Sequence, residues 1–86
     1  MDELRKRQKI ISQLVEARLE QGISQAELAR RLGIQRSGIN RLESGTQNPT
    51  LDMILKIASA LGKDVSLELN DKEEPMSHVY SLRMYD

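Results

Sequence analysis

Apolar residues recur with helical spacing along four stretches of the chain, and each stretch ends at a glycine. The four glycines are Gly22, Gly33, Gly45 and Gly62. Because glycine adopts the left-handed conformation at a helix end without a Cβ penalty, each of them indicates the end of a helix. The pattern therefore predicts four helices, over about residues 3–21, 25–32, 36–44 and 51–61.

The start of the second helix carries the strongest local signal in the sequence. Ser24-Gln25-Ala26-Glu27 has the form of a capping box, in which the Ser24 hydroxyl accepts a hydrogen bond from the Glu27 amide and the Glu27 side chain reaches back. A turn of a few residues at Gly33 then leads into the third helix. Two short helices joined by a tight turn that contains glycine have the outline of a helix-turn-helix.

Beyond Gly62 the apolar period changes from that of a helix to that of a strand. Val65, Leu67 and Leu69 alternate with polar residues, which is the pattern of a half-buried strand. A lone strand leaves its backbone groups unpaired, so it needs a second strand from the tail, over residues 78–85, or from a partner chain. The sequence therefore predicts a C-terminal β-strand or short hairpin.

Composition limits the classes of protein that this chain can represent. Its 86 residues leave room for one compact domain, and the absence of cysteine removes both disulfides and thiolate metal sites. His78 is the only histidine, so we expect no metal, no cofactor and no enzymatic activity. The chain has no signal-peptide pattern and no apolar run of about 20 residues, so we expect a cytoplasmic protein without membrane contact.

The formal net charge of zero hides an uneven distribution of charge along the chain. Residues 1–63 contain eleven Lys or Arg and seven Asp or Glu, whereas residues 64–86 contain two and six. Between Glu27 and Glu43 there are four arginines and no acidic residue. On charge alone this segment is either an ordinary solvated helix face or a surface for an anionic partner.

A set of residues between the second and fourth helices occurs in one fixed order. The set comprises Gln25-Ala26-Glu27-Leu28-Ala29, Gly33-Ile34, Ile39, Leu42-Glu43-x-Gly45 and Pro49-x-Leu51. This order resembles the Cro/repressor (Xre, or Cro/C1-type) helix-turn-helix family, over about residues 10–62. The resemblance implies a mainly α, lambda-repressor-like bundle of four to five helices, here with the C-terminal strand or hairpin. It also implies a DNA-binding domain over residues 1–63 and a dimerisation or partner segment over residues 64–86.

The helix from about residue 36 to 44 is the expected recognition helix. Ile39 and Leu42 form its inward apolar pair, so other positions of this helix must face outward. The expected base-reading residues are Arg36, Ser37, Asn40 and Arg41. Arginine pairs in bidentate fashion with guanine and asparagine with adenine when such a helix lies in the major groove.

Other roles come from the resemblance and from position in the chain. The family's matching glutamine contacts a phosphate, and this role is carried over to Gln25. The expected contacts to the DNA backbone are Gln25, Gln35, Thr46, Gln47 and Asn48. The resemblance further implies a partly buried structural ion pair between Arg18 and Glu43. Gln35 is a poor capping residue and Gly38 is a poor helix former, so the recognition helix is expected to be loose until DNA orders it.

Three functions are compatible with these features. The first is a sequence-specific transcriptional regulator, a repressor, that binds an inverted repeat in double-stranded DNA as a homodimer. The second is the antitoxin of a type II toxin–antitoxin pair, which keeps DNA binding and adds a toxin protein as partner. The third is a protein-interaction module that has lost DNA binding, supported only by the zero net charge. The expected dimer or partner contacts are Met53, Ile57, Val65, Leu67 and Leu69.

Overall fold

Four helices follow one another along residues 2–71, the part of the chain that the computed structural model describes. They are α1 (Asp2–Glu20), α2 (Gln25–Leu32), α3 (Arg36–Ser44) and α4 (Leu51–Ala60). Their number, order and approximate bounds confirm the prediction from apolar spacing and glycine positions. None of these helices combines the length and the apolar content that crossing a membrane requires.

α2 begins at a capped residue, as the sequence predicts. The Ser24 hydroxyl accepts a hydrogen bond from the Glu27 amide at 3.0 Å, which satisfies one of the free amides of the first turn. The Glu27 carboxylate does not complete the capping box, because its two oxygens accept hydrogen bonds from Arg30 and Arg31 instead. Arg30, and then Arg31, hold the pKa of Glu27 below its usual range, so this carboxylate is charged at neutral pH.

α3 begins without a side-chain cap, whereas α4 begins with one. Gln35 occupies the N-cap position of α3 and makes no capping hydrogen bond. The Thr50 hydroxyl accepts a hydrogen bond from the Met53 amide at 3.1 Å and caps α4. α3 therefore depends on contacts with the other helices more than α2 and α4 do.

The core lies between the inner faces of all four helices. Its most enclosed side chains are Leu28 of α2, Ile39 of α3 and Ile57 of α4, each 1% exposed. The remaining members of the core cluster are Leu14, Ala17, Ile23, Ala29, Leu42, Ala58 and Leu61. Ile57 was expected at an interface with a partner, but it belongs to the core because α4 turns this face towards α2. Met53, expected at the same interface, packs half-buried against the core cluster.

The C-terminal strand is not formed within the described residues. Residues 63–71 are neither helix nor strand, and residues 2–71 contain no second strand with which this segment could pair. Val65 packs half-buried against the core, while Leu67 is 65% exposed and Leu69 is fully exposed. The other half of the predicted hairpin, residues 78–85, lies outside the described residues, as does His78.

The same substitution at two glycines is expected to change stability in opposite directions. Gly38 lies inside α3, where an added Cβ meets only Ile34 Cδ1 at 3.8 Å and an Arg41 guanidinium nitrogen at 4.0 Å. Gly38→Ala should raise the free energy of unfolding by about 0.5–1 kcal/mol, because alanine favours the helix. Gly33 ends α2 with a φ of 71°, so Gly33→Ala should lower it by about 1–2 kcal/mol.

Urea denaturation of the two variants and the parent chain measures both effects. A loss of stability in Gly38→Ala would show that the interior of α3 is packed too tightly for a methyl group, contrary to the distances above.

Candidate nucleic-acid interface

An ion pair between Arg18 of α1 and Glu43 of α3 anchors the helix that carries the candidate site. Arg18 Nε donates to Glu43 Oε2 at 2.7 Å and Arg18 Nη2 donates to Glu43 Oε1 at 2.8 Å. The two side chains are only 9% and 11% exposed. Arg18 Nη1 also donates to the Ile23 carbonyl oxygen at 2.7 Å, just before α2. One guanidinium therefore joins α1, the start of the helix-turn-helix and the last turn of α3 in a fixed geometry.

Gln25 extends this hydrogen-bonded network towards the surface. Its Nε2 donates to Glu43 Oε1 at 2.9 Å, and its Oε1 accepts a hydrogen bond from Asn40 Nδ2 at 3.4 Å. Gln25 is half-buried and Asn40 is exposed, so the network runs from the interior to the outer face of α3. The sequence contains no signal for these two hydrogen bonds beyond the position of Gln25 at the start of α2.

All four residues expected to read bases are exposed on the outer face of α3: Arg36, Ser37, Asn40 and Arg41. Arg36 and Ser37 make no hydrogen bond or ion pair with any side chain that the structure describes. Their donors therefore face solvent at the N-terminal half of α3. This is the half of a recognition helix that approaches base edges in a major groove.

The loop after α3 supports Arg41 and the end of the helix. Arg41 Nε donates to Gln47 Oε1 at 3.1 Å, and the Arg41 carbonyl oxygen accepts from the Thr46 hydroxyl at 3.2 Å. Thr46 and Gln47, both expected to contact the DNA backbone, thus have an internal role in the free protein. Asn48 and Gln35 are exposed and have side chains without a partner in the described part of the chain.

The outer face of α3 is positively charged although the whole chain is formally neutral. No acidic residue occurs between residues 27 and 43, and those two flanking glutamates are both held by arginines. Glu43 is paired with Arg18 and Glu27 with Arg30 and Arg31. The uncompensated charges on this surface are consequently those of Arg36 and Arg41, which is an arrangement suited to phosphates and guanine edges.

Removing one member of the Arg18–Glu43 pair is expected to lower the free energy of unfolding more than removing both members does. Arg18→Met leaves the Glu43 carboxylate largely buried without its cation, and this should lower the free energy of unfolding by about 3–5 kcal/mol. The double variant Arg18→Met/Glu43→Leu leaves no stranded charge and should be more stable than Arg18→Met alone. Urea denaturation gives both values.

A matched control is Arg31→Met, which breaks an exposed ion pair with Glu27. Arg31→Met should lower the free energy of unfolding by less than about 1 kcal/mol, because water screens exposed charges. If Arg18→Met costs no more than this control, the ion pair does not hold α3 in place.

Comparison with known proteins agrees with this geometry. A model of the helix-turn-helix family matches residues 14–67, a range that contains every residue of the network and of the outer face of α3. No solved structure matches the chain.

Three similar proteins illustrate the relationship, and each is named an uncharacterized HTH-type transcriptional regulator. The one from Haemophilus influenzae is 38% identical over 58 residues, which cover 67% of this chain and 59% of that protein. The one from Methanothermobacter thermautotrophicus is 45% identical over 49 residues, or 57% of this chain and 71% of that protein. The one from Archaeoglobus fulgidus is 38% identical over 60 residues, or 69% of this chain and 86% of that protein.

The alignment thus spans less than two thirds of the first relative and more than two thirds of the other two. The family match includes part of α1 and all of α2, α3 and α4. On this match and on the geometry of α2 and α3, the chain belongs to the Cro/C1-type helix-turn-helix family.

Proposed function

We propose that this chain is a sequence-specific DNA-binding transcriptional regulator that represses by occupying an inverted repeat as a homodimer. The observation that carries the proposal is the outer face of α3, which is exposed, free of acidic residues and provided with unpaired donors at Arg36 and Ser37. A single α-helix fits the major groove, where such donors meet the acceptors of base edges.

In this proposal α3 contacts the bases and the start of α2 contacts the DNA backbone. Arg36 and Arg41 donate hydrogen bonds to guanine O6 and N7, and Asn40 pairs with adenine. The Ser37 hydroxyl donates a hydrogen bond to one base or accepts one from it. The first amides of α2 and the side chain of Gln25 lie near a phosphate, because a helix N-terminus favours an anion. Gln35 and Asn48 contact the DNA backbone from the two ends of α3.

A homodimer makes about twice as many contacts with DNA as one subunit does. One subunit presents only Arg36 and Arg41 as uncompensated cations on the outer face of α3, so a monomer should bind weakly, whereas two subunits bind half-sites about one helical turn apart. We place the dimer contact in residues 65–69, where Leu67 is 65% exposed and Leu69 is fully exposed. Pairing of this segment with its copy satisfies its backbone and covers both leucines. A dimer bound across promoter DNA blocks access to it, which is the basis for proposing repression.

A second candidate keeps DNA binding and assigns the same segment to a toxin protein. The exposed leucines favour it, as does the acidic balance of residues 64–86, which suits a basic partner. The oligomeric state of the chain on its own distinguishes the two candidates.

Arg36→Ala is expected to weaken binding to a selected DNA sequence far more than binding to random DNA. The loss for the selected duplex should be about 5-fold to 150-fold, which corresponds to the 1–3 kcal/mol of a good base contact. Arg31→Ala is the matched control, because it removes an arginine that is exposed but bonded to Glu27 on α2. It should weaken both kinds of binding to a similar, small extent. Fluorescence anisotropy at several salt concentrations measures all four affinities.

Affinity of the parent chain should fall steeply as salt increases, since binding releases counterions from phosphates. Absence of binding at low salt, or equal losses for selected and random DNA in Arg36→Ala, would contradict the proposal.

Leu67→Asp/Leu69→Asp is expected to convert the dimer into a monomer, because it places two charges in the proposed contact. Leu19→Asp is the control, since Leu19 is 61% exposed but lies on α1. It should leave the dimer intact in sedimentation velocity. A parent chain that is monomeric on its own would contradict the homodimer and favour the toxin candidate; a double variant that stays dimeric would place the interface elsewhere.

A further inference from the structure

We propose that Gln25 is a positioning residue for base recognition, because it fixes the donor and acceptor orientation of the Asn40 amide. This inference rests on the proposed function and assigns Gln25 a role beyond a phosphate contact. It follows from the direction of the hydrogen bonds that connect Arg18, Glu43, Gln25 and Asn40.

The direction of these hydrogen bonds is determined at their buried end. A guanidinium has only donors and an ionised carboxylate has only acceptors, so Arg18 donates and Glu43 accepts. Glu43 Oε1, which already accepts from Arg18 Nη2 at 2.8 Å, faces Gln25 at 2.9 Å. Only the NH₂ group of Gln25 makes a favourable bond with that oxygen, because its carbonyl oxygen would be repelled. The Gln25 amide therefore has one stable orientation.

The orientation of the Gln25 amide determines the orientation of the Asn40 amide. With Nε2 held by Glu43, the carbonyl oxygen of Gln25 faces α3 and requires a donor. Asn40 supplies it, through Nδ2 at 3.4 Å from Gln25 Oε1. Since this distance is at the long end of hydrogen-bond lengths, the contact orients the exposed Asn40 amide more than it immobilises it.

The groups of Asn40 that stay available match one base edge. Asn40 keeps its Oδ1 as an acceptor and the second hydrogen of Nδ2 as a donor, which is the pair that adenine N6 and N7 require. In the opposite amide orientation Asn40 Oδ1 would face the Gln25 carbonyl oxygen, and two acceptors would repel each other. The Arg18–Glu43 ion pair thus sets the base preference of the exposed Asn40, through the hydrogen bonds of Gln25.

The experiment compares base preference, not affinity alone, in four variants. Asn40→Ala identifies the base pair that Asn40 reads, as the position where discrimination between single-base variants of a selected duplex falls. Gln25→Met keeps the length of the side chain and removes both hydrogen bonds. The double variant Gln25→Met/Asn40→Ala tests coupling. Gln13→Met is the matched control, because Gln13 is exposed on α1, outside the proposed interface, and its side chain makes no hydrogen bond within the described residues.

We expect Gln25→Met to reduce discrimination at the Asn40 base pair by about 2-fold to 12-fold, the range of one hydrogen bond. The double variant should lose no more discrimination there than Asn40→Ala does. Gln13→Met should leave both affinity and discrimination unchanged. Because each variant is compared with itself on two duplexes, a partly unfolded sample weakens both affinities by the same factor and does not alter their ratio.

Two outcomes overturn the inference while leaving the proposed function intact. In the first, Gln25→Met weakens all duplexes equally and adds to Asn40→Ala, which makes Gln25 a phosphate contact only. In the second, Asn40→Ala leaves every base preference unchanged, so that Asn40 reads no base. Failure of the parent chain to bind DNA at low salt is a different result, because it overturns the proposed function itself.

Discussion

The bidentate contact between the Arg18 guanidinium and the Glu43 carboxylate joins α3 to α1, and it adds a directional contact to the apolar packing of α3 in the core. The N-cap residue of α3, Gln35, makes no capping bond, and Gly38 weakens the interior of the helix. Ile39 and Leu42 compensate by apolar burial and set the inward face of α3. The ion pair adds a planar, directional contact at the last turn of the helix. The outward direction of the other positions of α3 therefore rests on the core and on the ion pair together.

The same ion pair explains how a chain of zero net charge presents a cationic surface. Glu43 of α3 is paired with Arg18, and Glu27 of α2 is paired with Arg30 and Arg31, so the acidic residues of these two helices are compensated by arginines. The remaining acidic excess lies in residues 64–86, away from the part of the sequence that forms α3. Net charge is thus a poor guide to the partner of this chain, whereas the pairing of individual charges is informative.

The sequence predicts correctly the features whose cause is local, and the family resemblance adds one distant contact, the Arg18–Glu43 ion pair. Helix ends follow from Ser24, Thr50 and the glycines because capping involves neighbours in the chain. Ile57 lies in the core and not at the predicted interface, because periodicity shows that a face is apolar but not which surface covers it. The strand at residues 65–69 was predicted from alternation, yet pairing needs a second strand that residues 2–71 do not contain. The hydrogen bonds of Gln25 join residues far apart in sequence, and no single-chain pattern encodes them.

In the proposed complex α3 is the surface that contacts DNA, with the start of α2 beside it. The most direct measurement is the change in backbone amide NMR signals when the chain is titrated with a selected duplex. We expect the largest changes at residues 36–41 and at Gln25. Changes concentrated on α4 and residues 63–71, with the signals of α3 unmoved, would show that DNA binds to a different surface.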